Sequence, residues 1–538
     1  MNVEAARSGR VAPIAMGVRI AIGILVLFSI LAMPVDLASI RQLPFALTPA
    51  EAFCIVAFIA ILPRSAGRWM LRVVMLLAGL MLFVKLADLG TRAAFARDFN
   101  PVLDLHLLRS GWHLLSGSVG RVGAIGAIAI TSAAFAGVLC LLGWGLGGIV
   151  HLRRNGRIAL GAPALAAAIL VAVFAADPAP AARLVAERTQ STAQSLREFA
   201  AFDALIGEDP LRNIEAGSLL SGLAGRDVVL AFVESYGRSA VEDAPYAEEV
   251  RARLAAVEDG IGRAGFSARS GWLTAPTVGG QSWLSHATLL SGLWVDGQRR
   301  YERLVASRRA SLNALFRQAG WRSAALMPAI TMAWPEGDWY GYDAIHARDD
   351  LGYRGEPFNW VTMPDQYTLA ALQRLELGTV RSRPLMAELA LISSHAPWTP
   401  IPPLLPWGDV GNGTIFTPYA SAGDPPEVVW RDPERVRQQY ALSIDYALET
   451  LGSFVETYGG DDQLFIILGD HQPAPIITGE SASRDVPIHI LSRDRELLER
   501  LDEWGWTRGM VPSRGAPVWR MDAFRERFVR AFSDGAGS

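Results

Sequence analysis

The sequence predicts a bundle of five membrane-spanning helices, followed by an external α/β domain whose largely parallel sheet is covered by helices on both faces. Apolar runs long enough to cross a bilayer crowd the first third of the chain. Clusters of arginine separate several of these runs. Later, short strand patterns alternate with helix patterns. These observations divide the chain into a transmembrane domain (1–176), a helical linker (177–225) and an external domain (226–538).

The five apolar runs account for the positive mean hydropathy of the chain, +0.23 over 538 residues. We expect the first run not to be a cleavable signal, because four more follow it and no small-residue cleavage site closes it convincingly. The runs cover residues 11–33, 46–62, 73–89, 122–150 and 158–176.

Arginine clusters orient these spans. One cluster precedes the first span, a second joins spans two and three, and a third joins spans four and five. Positive residues collect on the cytoplasmic side, so an odd number of spans places everything after residue 176 outside the cytoplasm. This predicts a multi-pass membrane protein, in contact with the lipid bilayer. The clusters are Arg7 and Arg10; Arg64, Arg68 and Arg72; and Arg153, Arg154 and Arg157.

Charge and cysteine content restrict the function of the external part. The first 176 residues hold fifteen Lys or Arg and six Asp or Glu, which leaves 35 and 47 for the remainder. An acidic external part argues against a nucleic-acid partner, which would favour a basic face. The two cysteines, Cys54 and Cys140, both fall in predicted spans. The external domain therefore has no disulfide and depends on a packed core.

The segment APTVGGQSWLSHATLLSG (275–292) presents the hydroxyl of Ser282 where a strand turns into a helix. Gly279 and Gly280 allow a tight backbone path, and Leu284 and Ala287 begin an apolar helix face. Free N–H groups at a helix N-terminus stabilise an anionic phosphoryl group. We therefore interpret Ser282 as a nucleophile, which needs a base or a metal ion for activation. The ordinary alternative is a plain helix cap.

Polar residues that could activate Ser282 follow three other apolar strands. Glu234 follows DVVLAFV, His395 follows LALISS, and Asp470 with His471 follows LFIILG. In a parallel sheet, sites gather at the carboxyl edge of the strands. Two carboxylates, an imidazole and a serine oxygen are a donor set for one divalent ion, Mn²⁺ or Zn²⁺, with Mg²⁺ also possible.

Each of these residues also has a structural interpretation. Glu234 or Asp470 could cap a helix or pair with arginine, His471 could be a core imidazole, and His395 could order the proline-rich loop behind it. Their recurrence at four strand ends favours the metal site.

At these residues the sequence resembles the alkaline phosphatase and sulfatase superfamily, in particular its five-span membrane branch of lipoteichoic acid synthases, phosphoglycerol transferases and phosphoethanolamine transferases. The run SWLSHATLLSG has the spacing of the sulfatase motif C/S-x-P-S-R-x-x-L-L-T-G, with Ser282 in the nucleophile's place. FVESYGR and LGDHQ match the metal-binding Glu and Asp-His of the membrane transferases, and SSHAP matches their substrate-site His. The resemblance implies an alkaline phosphatase-like fold, metal ligation by Glu234, Ser282, Asp470 and His471, and substrate contact by His395.

Departures from the family patterns narrow the expected substrate. Leu284 and His286 replace the Pro and Arg of the sulfatase motif, which argues against a sulfatase. Lipoteichoic acid synthases hold glycerol phosphate with a Trp-Asn-Arg run, and the similar place in this sequence reads Trp334-Pro335-Glu336. Without that Arg, Glu336 could instead face an ammonium group. A structural loop is the alternative at Trp334 and Glu336. We include His286, Trp334 and Glu336 with His395 as predicted substrate-binding residues.

The function predicted from these observations is metal-dependent transfer of a phosphoglycerol or phosphoethanolamine head group. The donor is a membrane phospholipid, the acceptor is an external glycan or lipid, and Ser282 carries the group as a covalent intermediate. One alternative is a hydrolase of the same superfamily, in which water replaces the acceptor. A second is a catalytically silent membrane scaffold.

Overall fold

The computed structural model describes residues 4–34, 49–95, 97–104, 107–175, 179–215 and 217–534. The chain forms two compact units, one of Met1–Ala93 with Arg97–Glu198 and one of Ala94–Ala96 with Phe199–Ser538. The predicted border between residues 176 and 177 lies outside the described residues. Of the predicted linker, residues 180–207 form a helix, and the first strand begins at Asp227.

The first unit is helical. Apolar residues follow one another with few charges in most of its helices, as expected of segments that meet lipid. The seventh helix continues into the second unit. The helices are α1 (Glu4–Ala32), α2 (Ala50–Ile61), α3 (Arg64–Phe95), α4 (Pro101–Asp104), α5 (Leu107–His151, kinked at Gly120), α6 (Arg154–Phe174) and α7 (Pro180–Gly207).

Four helices in the described part of the chain are long and apolar enough to cross a membrane, namely Ala15–Ala32, Arg64–Phe95, Gly120–His151 and Arg154–Phe174. Helix α2 is also apolar but has only 12 residues. At about 1.5 Å per residue it covers little more than half of a hydrocarbon core of about 30 Å. The predicted start of that span, residues 46–48, lies outside the described residues. Four spans are thus supported, and the fifth remains a prediction.

Small residues let helices α1 and α5 touch through their backbones. A Cβ atom added to Gly23 would lie 2.5 Å from the Leu146 nitrogen, and one added to Gly145 would lie 2.3 Å from the Gly23 Cα atom. Lipid tails are as apolar as leucine, so association of such helices depends on close van der Waals contact.

A lysine of α3 also contacts the end of α1. The Nζ atom of buried Lys85 donates to the carbonyls of Leu31 (2.7 Å) and Met33 (2.8 Å).

In the part of the second unit that the structure describes, nine strands form one sheet. The strands are β1 (Asp227–Val233), β2 (Ser267–Thr274), β3 (Arg322–Met327), β4 (Ala344–Ala347), β5 (Leu385–Leu391), β6 (Gln463–Gly469), β7 (Asp485–Ser492), β8 (Thr507–Arg508) and β9 (Val518–Arg520). Their order is β4-β3-β5-β1-β6-β7-β2-β8, with β9 paired to β2.

The sequence predicted a largely parallel sheet, and most strands do run in one direction, although β7 and β8 make the sheet mixed. Strands β4, β3, β5, β1 and β6 are parallel, but β7 runs antiparallel to both of its neighbours, β6 and β2. The apolar run of β7 is buried throughout and carries no sign of its direction. Two reversals across β7 leave β2 running in the same direction as β1 and β6. The carboxyl ends of β1, β2, β5 and β6 therefore share one edge.

Alternate residues of the central strands point into two separate cores. On β1, Val229 and Ala231 belong to one core and Leu230 and Phe232 to the other. Burial on both faces explains why these strands are continuously apolar. Helices thus cover both faces, as predicted. They are α8 (Arg238–Glu242), α9 (Ala247–Arg263), α10 (Ser282–Ser291), α11 (Gln298–Val305), α12 (Leu312–Gln318), α13 (Gly337–Tyr340), α14 (Asp365–Leu372), α15 (Pro426–Val429), α16 (Pro433–Tyr458), α17 (Pro475–Thr478), α18 (Arg495–Glu499) and α19 (Ala523–Ala531).

Candidate active site

Glu234 is the first residue beyond β1. Its N–H donates to the Leu391 carbonyl at 3.0 Å, so the ladder with β5 extends up to the site. The next residue, Ser235, has a left-handed backbone (φ 56°), and its hydroxyl donates to Glu234 Oε1 at 2.9 Å. The turn thus ends the strand and holds the Glu234 carboxylate at the sheet edge.

Asp470 and His471 follow β6, the neighbour of β1 on the other side. Asp470 Oδ1 accepts from the N–H groups of Ser235 (2.8 Å) and His471 (2.7 Å), which leaves Oδ2 3.7 Å from His471 Nε2. The Nδ1 atom of His471 lies 2.8 Å from the Gln472 carbonyl, an acceptor. Nδ1 therefore carries the proton in the neutral ring, and the lone pair of Nε2 faces the two carboxylates.

Ser282 is held by the loop between β2 and α10. Gly279 donates from its backbone N–H to the Gln472 carbonyl at 2.8 Å, which ties this loop to the segment after β6. Gly279, Gly280 and Gln281 all have positive φ, so the chain turns sharply into the helix. The Ser282 Oγ atom lies 3.0 Å from Glu234 Oε2 and 3.2 Å from His471 Nε2.

The donor set fits a divalent cation. Ligand atoms of Glu234, Asp470 and His471 all lie within 4.8 Å of one another, and the three side chains are buried. Oxygen and nitrogen ligands lie about 2.0–2.2 Å from Zn²⁺, so such atoms can share one ion. Two buried carboxylates side by side are costly without a cation between them. These residues, together with the Ser282 oxygen, could therefore hold one metal ion.

The pKa values of these three residues also show how closely their charges are packed. Burial and then the charge of Glu234 raise the pKa of Asp470 to about 6. Burial opposes ionisation of Glu234 too, yet the charge and hydrogen bond of His471 hold its pKa below the ordinary value. Burial disfavours the His471 cation, but the charges of Asp470 and Glu234 outweigh it and raise the pKa of His471 to about 9. The site therefore attracts positive charge.

His395 belongs to the loop after β5. Its side chain is exposed, and Nδ1 lies 2.5 Å from the Ala396 carbonyl. Its charge contributes to the lowered pKa of Glu234, which is the electrostatic sign of its proximity. Asp365, at the start of α14, holds this loop through Oδ1, which accepts from the N–H groups of Ile392 (2.7 Å) and Ser393 (2.9 Å). Sequence reasoning did not find Asp365.

A cavity of about 580 Å³ opens beside Ser282, Glu234 and Asp470. Three of the predicted substrate-binding residues, His286, His395 and Trp334, are among its lining residues. Glu336 precedes α13 and is not among them, so its contact with substrate remains a prediction. Most of the other lining side chains are apolar; they include Trp283, Met327, Ile330 and Trp360.

His286 leads to a buried carboxylate that sequence reasoning missed. Its Nδ1 lies 2.8 Å from Oε1 of Glu388, a residue of β5. The second oxygen, Oε2, accepts from Asn313 Nδ2 at 2.8 Å and from the Tyr342 hydroxyl at 2.7 Å. The imidazole stacks on the Phe232 ring with 3.7 Å between centroids. An acidic residue inside the apolar run LMAELALI was the signal that could have revealed this network.

No protein-family model and no curated protein matches the sequence. Among solved structures, the chain is similar to the lipoteichoic acid synthase LtaP of Listeria monocytogenes, with 14% identity and a TM-score of 0.36 over 55% of this chain and 71% of that one.

Two further structures extend this likeness. A protein of the alkaline phosphatase superfamily from Vibrio parahaemolyticus matches with 15% identity and a TM-score of 0.37 over 53% of this chain and 65% of that one. The C-terminal periplasmic domain of EptC from Escherichia coli, in complex with Zn, matches with 13% identity and a TM-score of 0.40 over 60% and 86%.

Proposed function

We propose that this protein transfers a phospho-alcohol head group from a membrane phospholipid to an external glycan or lipid acceptor. The observation that carries the proposal is the position of the Ser282 hydroxyl, in contact with both Glu234 and His471 at the edge of a buried acidic cluster. The group transferred is phosphoglycerol or phosphoethanolamine. Ser282 carries it between the two substrates as a phosphodiester.

In the first step, Ser282 Oγ forms a bond to the donor phosphorus, and the bond from phosphorus to the diacylglycerol oxygen breaks. The Ser282 hydroxyl donates its hydrogen bond to Glu234 Oε2, which is therefore the first acceptor of its proton and passes it on to solvent water. His395, exposed beside the cavity, protonates the departing diacylglycerol oxygen and then recovers a proton from solvent water. Because Ser282 is only half-buried, a lipid phosphate can reach it.

Glu234, Asp470, His471 and Ser282 would hold the metal ion, either Mn²⁺ or Zn²⁺, with Mg²⁺ also possible. A divalent cation bound there lowers the pKa of a ligated hydroxyl and neutralises charge on a phosphoryl group. The N-terminus of α10 adds free N–H groups next to Ser282, which stabilise the same negative charge.

The apolar helices supply the membrane location of this reaction. They anchor the chain in a bilayer, where phospholipid is present at high local concentration. The arginine clusters of the first unit favour an orientation with the sheet-containing unit outside the cytoplasm of a bacterial inner membrane.

Labelled phospholipid tests the proposal. Purified full-length protein in detergent, loaded with Mn²⁺ or Zn²⁺, should move the label to an added glycan and should show the head-group mass on Ser282 in intact-protein mass spectrometry. Ser282→Ala should abolish both signals. Ser285→Ala, one turn along the same buried helix, is the matched control and should retain them.

The outcomes of that experiment separate the alternatives. Label released as a free phospho-alcohol, with the Ser282 adduct present, would identify a hydrolase. Unaltered activity in cells that carry Ser282→Ala would identify a scaffold. The proposal would be contradicted if folded wild-type protein with bound metal showed neither transfer of the label nor a Ser282 adduct.

A further inference from the structure

The buried carboxylate of Glu388 has no role in the first step. It lies on β5, with no exposed surface, and is surrounded by donors from three distant segments. Burial and the charge of Glu388 raise the pKa of the Tyr342 hydroxyl well above its ordinary value, so that hydroxyl remains a donor. A buried charge needs hydrogen-bond donors around it, and one of the donors to Glu388 is His286, which also lines the active-site cavity.

Glu388 fixes both the tautomer and the plane of His286. A hydrogen bond from Nδ1–H to Oε1 places the ring proton on Nδ1, and stacking on Phe232 at an interplanar angle of 20° restricts rotation. The Nε2 atom then presents its lone pair as a hydrogen-bond acceptor. His286 lines the cavity and retains 8% of its surface. A small molecule in the cavity can reach the ring.

Helical spacing places His286 on the same face of α10 as Ser282. The two residues are four positions apart, so their Cβ atoms are about 5–6 Å from each other. A group attached to Ser282 Oγ and an acceptor hydroxyl that approaches it through the cavity would therefore meet the His286 ring. His395 approaches from the loop after β5, so the two histidines reach the site from different elements.

We propose that His286 is the general base for the acceptor hydroxyl and that Glu388 is the residue that positions it. This inference rests on the proposed function and assigns its second step. The acceptor oxygen forms a bond to phosphorus as the bond from phosphorus to Ser282 Oγ breaks. The proton of the acceptor hydroxyl passes to His286 Nε2, which later returns it to Ser282 Oγ. The acceptor is thus a compound with a free hydroxyl, such as a sugar.

The test measures the two steps separately. Full-length protein in lauryldimethylamine oxide, a detergent without hydroxyl groups, is loaded with Mn²⁺ or Zn²⁺ and mixed with phosphatidylglycerol or phosphatidylethanolamine, and the Ser282 adduct is followed by rapid-quench mass spectrometry. Octyl glucoside is then added as the acceptor, and decay of the adduct is timed. The variants are His286→Asn and Glu388→Gln. Glutamine keeps one oxygen as an acceptor for His286 Nδ1–H, but it removes the charge and the second acceptor oxygen, which binds Asn313 and Tyr342.

We expect decay of the adduct to slow more than its formation. The loss is about 100-fold for His286→Asn, the usual contribution of a general base, and about 10-fold for Glu388→Gln, a typical cost of removing a partner that orients a histidine. His489→Asn is the matched control. This buried histidine of β7 binds Ser270 Oγ at 2.7 Å and Tyr236 at 3.2 Å, so its loss should leave the ratio of the two rates unchanged.

Equal slowing of formation and decay in His286→Asn, or the same changed ratio in His489→Asn, would make the network structural and overturn the inference. If His286→Asn does not fold, Glu388→Gln decides between these outcomes. A wild-type protein that forms no adduct would instead overturn the proposed function. An adduct that forms and decays normally in Glu388→Gln, with a lower melting temperature, would remove the positioning role.

Discussion

The two carboxylate oxygens of Asp470 make different contacts. Oδ1 accepts two backbone N–H groups and so orders the turn after β6, whereas Oδ2 is directed toward His471. The same division occurs in His471, where Nδ1 meets a backbone carbonyl and Nε2 faces the site. Backbone contacts therefore orient each proposed ligand atom before an ion binds, which would reduce the entropy lost on binding.

Metal binding should stabilise the protein. A ligand present at 100 times its dissociation constant adds about 2.7 kcal/mol to the free energy of unfolding, so EDTA treatment should lower the melting temperature and Mn²⁺ or Zn²⁺ should restore it. Glu234→Gln should lose this response. The control is Glu376→Gln, since Glu376 is buried but pairs with Arg322 and His346 elsewhere in the sheet-containing unit. An equal response in both variants would argue against the predicted ligands.

Strands β3 and β4, at one end of the sheet, are joined by the side-chain contacts of a single carboxylate, Glu376. Glu376 follows α14 and accepts from Arg322 of β3 and from His346 of β4, both at 2.8 Å. Burial favours the neutral acid, but these hydrogen bonds and the Arg322 charge outweigh it and lower the pKa of Glu376 from 4.5 to about 2. One carboxylate thus joins two neighbouring strands at the end of the sheet.

A lowered pKa makes this contribution dependent on pH. The stabilisation by Glu376 is fully present above pH 4.5, its unfolded value, and is lost as the pH falls through about 2. Between pH 5 and pH 2, wild-type protein should therefore lose more unfolding free energy than Glu376→Gln. Chemical denaturation at several pH values measures the difference between the two curves. Parallel curves would contradict the assignment.

Because α1 contacts α5, we expect alanine substitutions at two glycines of α1 to have different effects on stability. Gly23→Ala should destabilise the first unit by about 1–3 kcal/mol, because the new Cβ meets backbone that cannot move aside. Gly17→Ala meets nothing within 4 Å and should be neutral or stabilising. Thermal unfolding in detergent compares them. Similar melting temperatures would show that the two backbones are not in contact.

Sequence patterns predicted the elements that carry the site better than the sheet around them. Glu234, Asp470 and His471 were identifiable because each follows a long apolar strand, and polar groups at strand ends are conspicuous. The direction of β7 was not identifiable from the sequence, because a fully buried strand has the same apolar pattern in both directions. Glu388 was missed because its partners Asn313 and Tyr342 come from distant segments that only the folded chain joins.

For the whole molecule, the arrangement of charge predicts which part faces outward. Labelling with a membrane-impermeant maleimide tests this in a background that lacks Cys54 and Cys140. Val380→Cys lies at a fully exposed position of the second unit and should be labelled in intact spheroplasts. Arg154→Cys, exposed at the start of α6, should react only after permeabilisation. Labelling of both sites, or of Arg154→Cys alone, would refute the proposed orientation.

The separation of Ser282 from Asp470 and His471 along the chain affects how the protein is made. The hydroxyl emerges from the ribosome long before the two side chains after β6, yet β6 must pair with β1 before the site exists. Under the proposed function, a nascent chain inserted in the bilayer would therefore carry a serine without the groups that activate it. Ser282 would become reactive only after β6 is translated, so an unfinished polypeptide would not attack the lipids around it.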